Sequence, residues 1–229
     1  MSTLNNPTLD ERYDDLFVLQ HSSRRAGMST SAYAVLSDEG AVYIDAAVES
    51  LLPLIRQVAD DGYEPAALLL THRHVASDGD ILETFEQEFD VPIFLHPKDA
   101  QHSQAASGID FRDPTESDLL AAFDIDVQLF SGHTEGHVLI RWHRHGGVLF
   151  TGDAAMGPTV QQDENGTERY VRPPFSFSVD DEAIRRGWTD FDVGQLSGVA
   201  PYHGMVYLDR SDSIHELMRP LQRSEPTRR

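Results

Sequence analysis

THRHVASDGD, residues 71–80, follows the apolar run Ala66-Ala67-Leu68-Leu69-Leu70. A short apolar run before polar residues reads as a buried strand. His72 and His74 stand at i and i+2 just beyond it. In an extended strand end such side chains point to one side, so both imidazoles could reach one ion. Taken alone, the pair reads equally well as two solvated histidines. The next side chains are Ala76 and Ser77, which offer a metal a methyl group and a neutral hydroxyl. Asp78 and Asp80 come after them, where a helix begins and carboxylates favour the helix dipole.

Three further segments repeat the pattern of an apolar strand ending in a polar, chemistry-bearing residue. Ser131-Gly132-His133-Thr134-Glu135-Gly136-His137 follows Val127-Gln128-Leu129-Phe130. Its two glycines allow a tight turn that can aim a histidine inward. Val148-Leu149-Phe150-Thr151-Gly152-Asp153 sets a carboxylate at the carboxyl end of a strand, although an Asp there can also cap a turn. Pro201-Tyr202-His203-Gly204 follows the apolar Val199-Ala200. Four strand ends carrying His-x-His, Gly-His-Thr, Gly-Asp and His-Gly in this order point to one composite metal centre.

In that order and spacing the chain resembles the metallo-β-lactamase fold superfamily. THRH is similar to the start of its T-H-x-H-x-D-H motif, SGHTEGH to G-H-T-x-G-H, and LFTGD to its metal-bridging Asp segment. PYHG is similar to its late His-Gly segment, and Ala41-Val42-Tyr43-Ile44-Asp45 to its early I-D-T-G strand without the glycine. The resemblance covers roughly residues 14–210. It implies an α/β fold of four layers, an αββα sandwich, with the metal site at one edge where the sheets meet.

It also implies that His72, His74 and His133 hold one metal. Asp153 and His203 would belong to a second, whose Asp-His pair is replaced here by Ala76-Ser77. The expected cofactor is therefore one divalent ion, Zn²⁺ first and Fe²⁺ as the alternative. Asp153 is the candidate catalytic residue, and His137 reads equally as a hydrogen-bond partner of a ligand histidine from behind or as a turn histidine. Three functions stay open. One is a one-metal hydrolase of a small ester, thioester, lactam or lactone. Another is an iron oxygenase similar to the superfamily's persulfide dioxygenases, on His72, His133 and Asp153. The third is a non-catalytic member of the fold. Only 26 residues follow His203, too few for the helical substrate domain of glyoxalase II-like members, so glutathione-type binding is not expected.

Composition narrows the setting. The 229 residues carry 38 acidic against 18 basic side chains, a formal charge of −20, and Lys98 is the lone lysine. Phosphates would be repelled, which argues against nucleic acid and for a small-molecule substrate. The acid is spread along the chain, the pattern of a halophilic protein in a salt-rich cytoplasm. If anionic substrates are used, Arg73, Arg172 or Arg210 must compensate locally. With no cysteine there is neither a disulfide nor a thiolate ligand. No apolar run is long enough to span a bilayer, and the start MSTLNNPTLDERYDD lacks the features of a secretory signal, so a cytoplasmic location is expected.

One domain over 1–229 is expected, with loose ends near 1–12 and 224–229. Strands are expected at 16–19, 32–36, 41–45, 66–71, 91–95, 125–130, 137–142 and 147–151. Helices are expected at 48–61, 78–89, 180–194 and 211–222. Residues 97–122 read as helical or irregular and 157–178 as a long loop, functional or mobile, whose Tyr170, Phe175 and Phe177 read as a substrate entrance or, at least equally, as core packing or loop anchors.

Overall fold

The computed structural model describes residues 7–22, 29–76, 79–103, 108–159, 162, 166 and 168–223. Ser77, Asp78 and the expected loose ends over 1–6 and 224–229 lie outside the described residues.

Two sheets face each other. The first has seven strands in sequence order: β1 Thr8–Tyr13, β2 Leu16–Ser22, β3 Ser29–Ser37, β4 Gly40–Ile44, β5 Pro65–Leu69, β6 Ile93–Phe94 and β7 Phe111–Arg112. The second runs β11 Gly198–Pro201, β10 Val148–Gly152, β9 Val138–Trp142, β8 Ile125–Leu129. The main helices are α1 Leu52–Asp60, α2 Gly79–Phe89, α3 Pro97–Ala100, α4 Asp118–Ala122, α5 Asp181–Asp190 and α6 Ile214–Gln222.

The layering follows from side-chain parity, since alternate residues of a strand face opposite sides. Tyr33 and Val35, Val42 and Ile44, and Ala67 and Leu69 point inward from the first sheet. They meet Val138, Ile140, Trp142, Val148 and Phe150 from the second. The other parity, Ala32, Ala34, Leu36, Tyr43, Leu68 and Leu70, turns outward against Ile55 and Val58 of α1 and Leu82 and Phe85 of α2. Leu139, Leu149 and Val199 turn outward on the far side, against Ile184 and Trp188 of α5 and Leu217 and Met218 of α6. Strands buried on both faces read as continuous apolar runs, as β4 and β10 do. Each fully buried Leu16, Val35 or Phe150 stabilises this sandwich by roughly 1.5–3 kcal/mol. The result is the expected αββα arrangement.

Two expectations are corrected. Residues 8–12 are not loose: Thr8–Tyr13 pairs antiparallel with β2, Leu9 opposite Leu19 and Asp10 opposite Val18. The polar TLDERY hides this, because an edge strand with both faces partly exposed has no apolar alternation. The stretch 97–122 is neither one helix nor wholly irregular. It holds α3, the two-residue β7 and α4, each too short to leave a periodic signal.

The strand ends converge. β4 ends at Asp45, β5 leads to Thr71-His72, β8 to residues 131–137, β10 to Asp153 and β11 to Tyr202-His203. Backbone bonds join these ends, among them Asp45 N–H to the Leu69 carbonyl (3.0 Å), Val138 N–H to Thr71 (2.9 Å) and Tyr202 N–H to Gly152 (3.0 Å), and Ser31 N–H of β3 donates to Tyr202 (2.9 Å).

Candidate metal centre

His72 and His74 do not lie in extended backbone. β5 stops at Leu69, and residues 73–76 form a 3-10 turn. The two rings do converge, but not for the reason that the i, i+2 spacing gave. The turn, not strand alternation, swings the rings to 5.2 Å between centroids, nearly perpendicular at 89°. His133 joins them at 4.8 Å from His72 and 4.9 Å from His74. One ring nitrogen from each of the three lies within 4.8 Å of the others. His74 Nδ1 and His133 Nε2 are 3.0 Å apart.

Asp153 faces this group with one oxygen and His203 with the other. Oδ2 is 3.6 Å from His72 Nε2 and 3.7 Å from His133 Nε2, and Oδ1 is 3.8 Å from His203 Nε2. The carboxylate thus stands between the three-histidine group and His203. Gly152 makes this possible. Its φ of +48° turns the chain at the strand end, and a Cβ there would lie 2.8 Å from both His137 Nε2 and Thr71 Cβ.

The protonation pattern suits a cation. Burial holds His72 well below the ordinary imidazole range, reinforced by the neighbouring histidines, and holds His133 down to about 3. His74 and His203 are lowered by burial too. The four rings are neutral at pH 7, as ligand imidazoles must be. Burial pushes Asp153 up to about 7.

A hydroxyl relay orients His72. Thr71 Oγ1 donates to Asp45 Oδ2 (2.8 Å), and Thr71 N–H donates to Asp45 Oδ1 (2.7 Å). The hydroxyl has one proton, already given to Asp45, so at 3.0 Å it accepts from His72 Nδ1–H. The Nε2 lone pair is left facing Asp153 and His133. Asp45 is buried at φ +55°, and burial raises it to about 7 against the lowering bonds from Thr71.

These residues fit a metal ion. His72 Nε2 and Asp153 Oδ1 are buried, polar and without a hydrogen-bond partner, a costly arrangement that a shared cation would relieve. Bonds of about 2.0–2.1 Å at tetrahedral angles place neighbouring donors roughly 3.3–3.4 Å apart. The His74–His133 pair at 3.0 Å and Asp153 Oδ2 at 3.6–3.7 Å from His72 and His133 lie near that value, and the three histidine nitrogens lie within 4.8 Å of one another.

Other expectations fare differently. His137 is fully buried and stacks on His72 at 5.2 Å and 27°, yet neither of its nitrogens has a hydrogen-bond partner. It supports the ring by packing, so the reading of it as a hydrogen-bond partner of a ligand histidine is corrected. Ala76 is fully buried, and Asp80 is exposed in the first turn of α2. Arg73 is not available to an anionic substrate: its guanidinium pairs with Asp99 (3.1 Å) and with Glu135. Arg210 lies over the Tyr207 ring. Tyr170 belongs to the core, its hydroxyl donating to the Val199 carbonyl (2.9 Å). Phe175 and Phe177 stand out at 53% and 63% exposure. Their segment bonds back to the His133 turn through Asp180 N–H to Gly132 (2.8 Å) and Val179 N–H to His133 (3.2 Å). Sequence reasoning missed Asp99 altogether and saw in Asp45 only a motif likeness. Both act through contacts 26 or more residues away.

A two-sheet sandwich with histidines and a carboxylate gathered at its strand ends defines a class of metal-binding hydrolase folds. The metallo-β-lactamase superfamily model matches residues 25–193, and the chain belongs to that superfamily. It is similar to a hydroxyacylglutathione hydrolase of Erwinia tasmaniensis, 27% identical over 125 residues, covering 54% of this chain and 46% of that protein. It is also similar to a probable metallo-hydrolase of Bacillus subtilis, 30% identical over 129 residues, covering 51% of this chain and 54% of that protein. The chain thus spans about half the length of these two relatives. Among solved structures, the DIM-1 metallo-β-lactamase superposes with a TM-score of 0.68 at 14% identity, covering 96% and 97% of the two chains. A metallo-β-lactamase of Erythrobacter litoralis gives 0.70 at 10% identity, covering 96% of each. At such identities the structural likeness speaks for the fold.

Proposed function

We propose that this protein is a metal-dependent hydrolase of a small ester, thioester or lactone, working with one divalent ion held by His72, His74 and His133. The observation that carries this reading is the bare, buried Nε2 of His72, aimed by the Asp45–Thr71 relay at the point where His133 and Asp153 converge. When bound, a divalent ion at such a site supplies Lewis acidity and a water acidic enough to yield hydroxide near neutral pH. Asp153, within 3.8 Å of His72, His133 and His203, would orient a water molecule through one carboxylate oxygen. His203, 3.8 Å from Asp153 Oδ1 and 3.4 Å from Thr30 Oγ1, stands on the far side of that carboxylate. Ala76 contributes no donor, which is why the reading has one metal and not two.

The exposed Phe175 and Phe177 favour a substrate with an apolar acyl or ring portion. With Arg73 paired internally and a charge of −20, an anionic substrate is disfavoured. Zinc suits three imidazoles. One observation favours an iron reading: Asp153 Oδ2 is nearly equidistant from His72 and His133, the makings of a two-histidine, one-carboxylate site, whereas His74 is exposed. The acidic composition adds a salt-rich cytoplasm as the setting of the enzyme. The test is hydrolysis of a panel of aryl esters, thioesters and lactones by zinc-loaded protein and its His133→Ala variant. Activity that disappears in the variant is expected; equal rates in both would remove the hydrolase reading.

A further inference from the structure

Asp99, in the short helix α3, is fully buried. Its carboxylate accepts four hydrogen bonds, and none comes from its own helix. Oδ2 accepts from Arg73 N–H (2.8 Å) and Thr134 Oγ1 (2.6 Å). Oδ1 accepts from Gly136 N–H (2.8 Å) and Arg73 Nη1 (3.1 Å). Arg73 stands between His72 and His74. Thr134 adjoins His133, and Gly136 adjoins His137. One side chain thus grips both histidine turns, which are about 60 residues apart in the chain.

The approach is close. A Cβ on Gly136 would lie 2.8 Å from Asp99 Cβ and 2.6 Å from its backbone nitrogen. The Arg73 guanidinium, shared with Glu135, closes the outer side. Each carboxylate oxygen accepts one backbone N–H that cannot turn away. An amide cannot replace this carboxylate in either orientation, because its NH₂ would face a backbone donor.

We propose that Asp99 is a positioning residue for the metal centre: its carboxylate fixes the separation of the His72–His74 turn from the His133 turn, and so sets how tightly an ion is held. This rests on the proposal that those histidines bind metal. Outer-sphere partners of this kind are worth roughly 10–100-fold in metal affinity.

The test is the dissociation constant for Zn²⁺, and for Co²⁺ with its absorption spectrum, measured by competition with a chromophoric chelator at a temperature where all proteins are folded. Asp99→Asn is expected to bind roughly 10–100-fold more weakly and to shift the Co²⁺ bands. Thr134→Val, which removes one of the four bonds while keeping size, is expected to lose about threefold to tenfold. Val35→Ala, which thins the core between the sheets, should lower thermal stability and leave affinity unchanged. A folded Asp99→Asn protein that binds within twofold of wild type overturns the inference. If Asp99→Asn does not fold, Thr134→Val decides, and wild-type affinity there overturns it equally. A wild-type chain that takes up no metal overturns the proposed site itself; a wild type that binds beside variants that bind as well overturns only the role of Asp99.

Discussion

Thr71→Val removes one buried hydroxyl and keeps the shape of the side chain. Two hydrogen bonds go with it: the donation to Asp45 Oδ2 and the acceptance from His72 Nδ1–H. Both partners are buried, Asp45 at 1% exposure and His72 at 0%. Leaving a buried polar group unpaired costs about 1–3 kcal/mol, and two such groups together cost about 2–4 kcal/mol here, because Asp45 keeps the Thr71 N–H. For a chain of this size that corresponds to a fall of roughly 5–15 °C in melting temperature. The loss should depend on pH. Asp45 is raised to about 7, above its unfolded value, so its folded state is favoured below that range and loses the advantage as pH rises through 7. At pH 5 the carboxyl is protonated and tolerates the missing donor. At pH 8 it must ionise without it, so the stability deficit of the variant should be larger at pH 8 than at pH 5. Freed from Thr71, the His72 ring also loses its fixed tautomer, and metal affinity should drop about tenfold. Thermal melts at the two pH values, with chelator competition, measure all three effects, and Thr71→Ser should restore them. A Thr71→Val protein that melts within 2 °C of wild type at pH 8 and binds metal as tightly would refute the relay.

Other outcomes follow from the same geometry. Because Asp153 sits near 7 without metal, its proton must leave when an ion binds, so affinity should fall about tenfold per pH unit below 7 from that proton alone. The depressed histidines add nothing to that slope near neutrality, and affinity that stays flat from pH 5.5 to 8 would speak against Asp153 standing beside the ion. Gly152→Ala should abolish metal binding and cost about 2–4 kcal/mol, since a left-handed φ adds to overlap with Thr71 and His137. Gly62→Ala, at φ +103° with nothing within 4 Å, should leave metal binding intact. Raising KCl from dilute buffer to molar concentrations should increase thermal stability by screening the −20 charge, and an unchanged melt would end the halophile proposal.

The sandwich was legible because its strands are buried on both sides and its helices are amphipathic. The bounds of α2 and of β8 to β10 fall within a residue or two of the apolar pattern. The edge strand β1 was not legible, because pairing through the backbone leaves no mark on a polar sequence. At the centre, His72, His74, His133, Asp153 and His203 could be singled out because each ends an apolar strand. What fixes them could not. The Asp45–Thr71 relay and the Asp99 clasp depend on a left-handed backbone and on contacts between segments distant in sequence. His137 shows the same limit: its place near the histidine cluster was readable, but its role as a stacked, unbonded ring depends on the bond that brings Val138 to Thr71.

Metal content tests the proposed centre most directly. Purified without added metal and analysed by inductively coupled plasma mass spectrometry, the wild-type chain should carry one divalent ion, zinc first, and His72→Ala should carry none. Two ions per chain would contradict the one-metal centre, and a wild-type chain without any ion would contradict the centre itself.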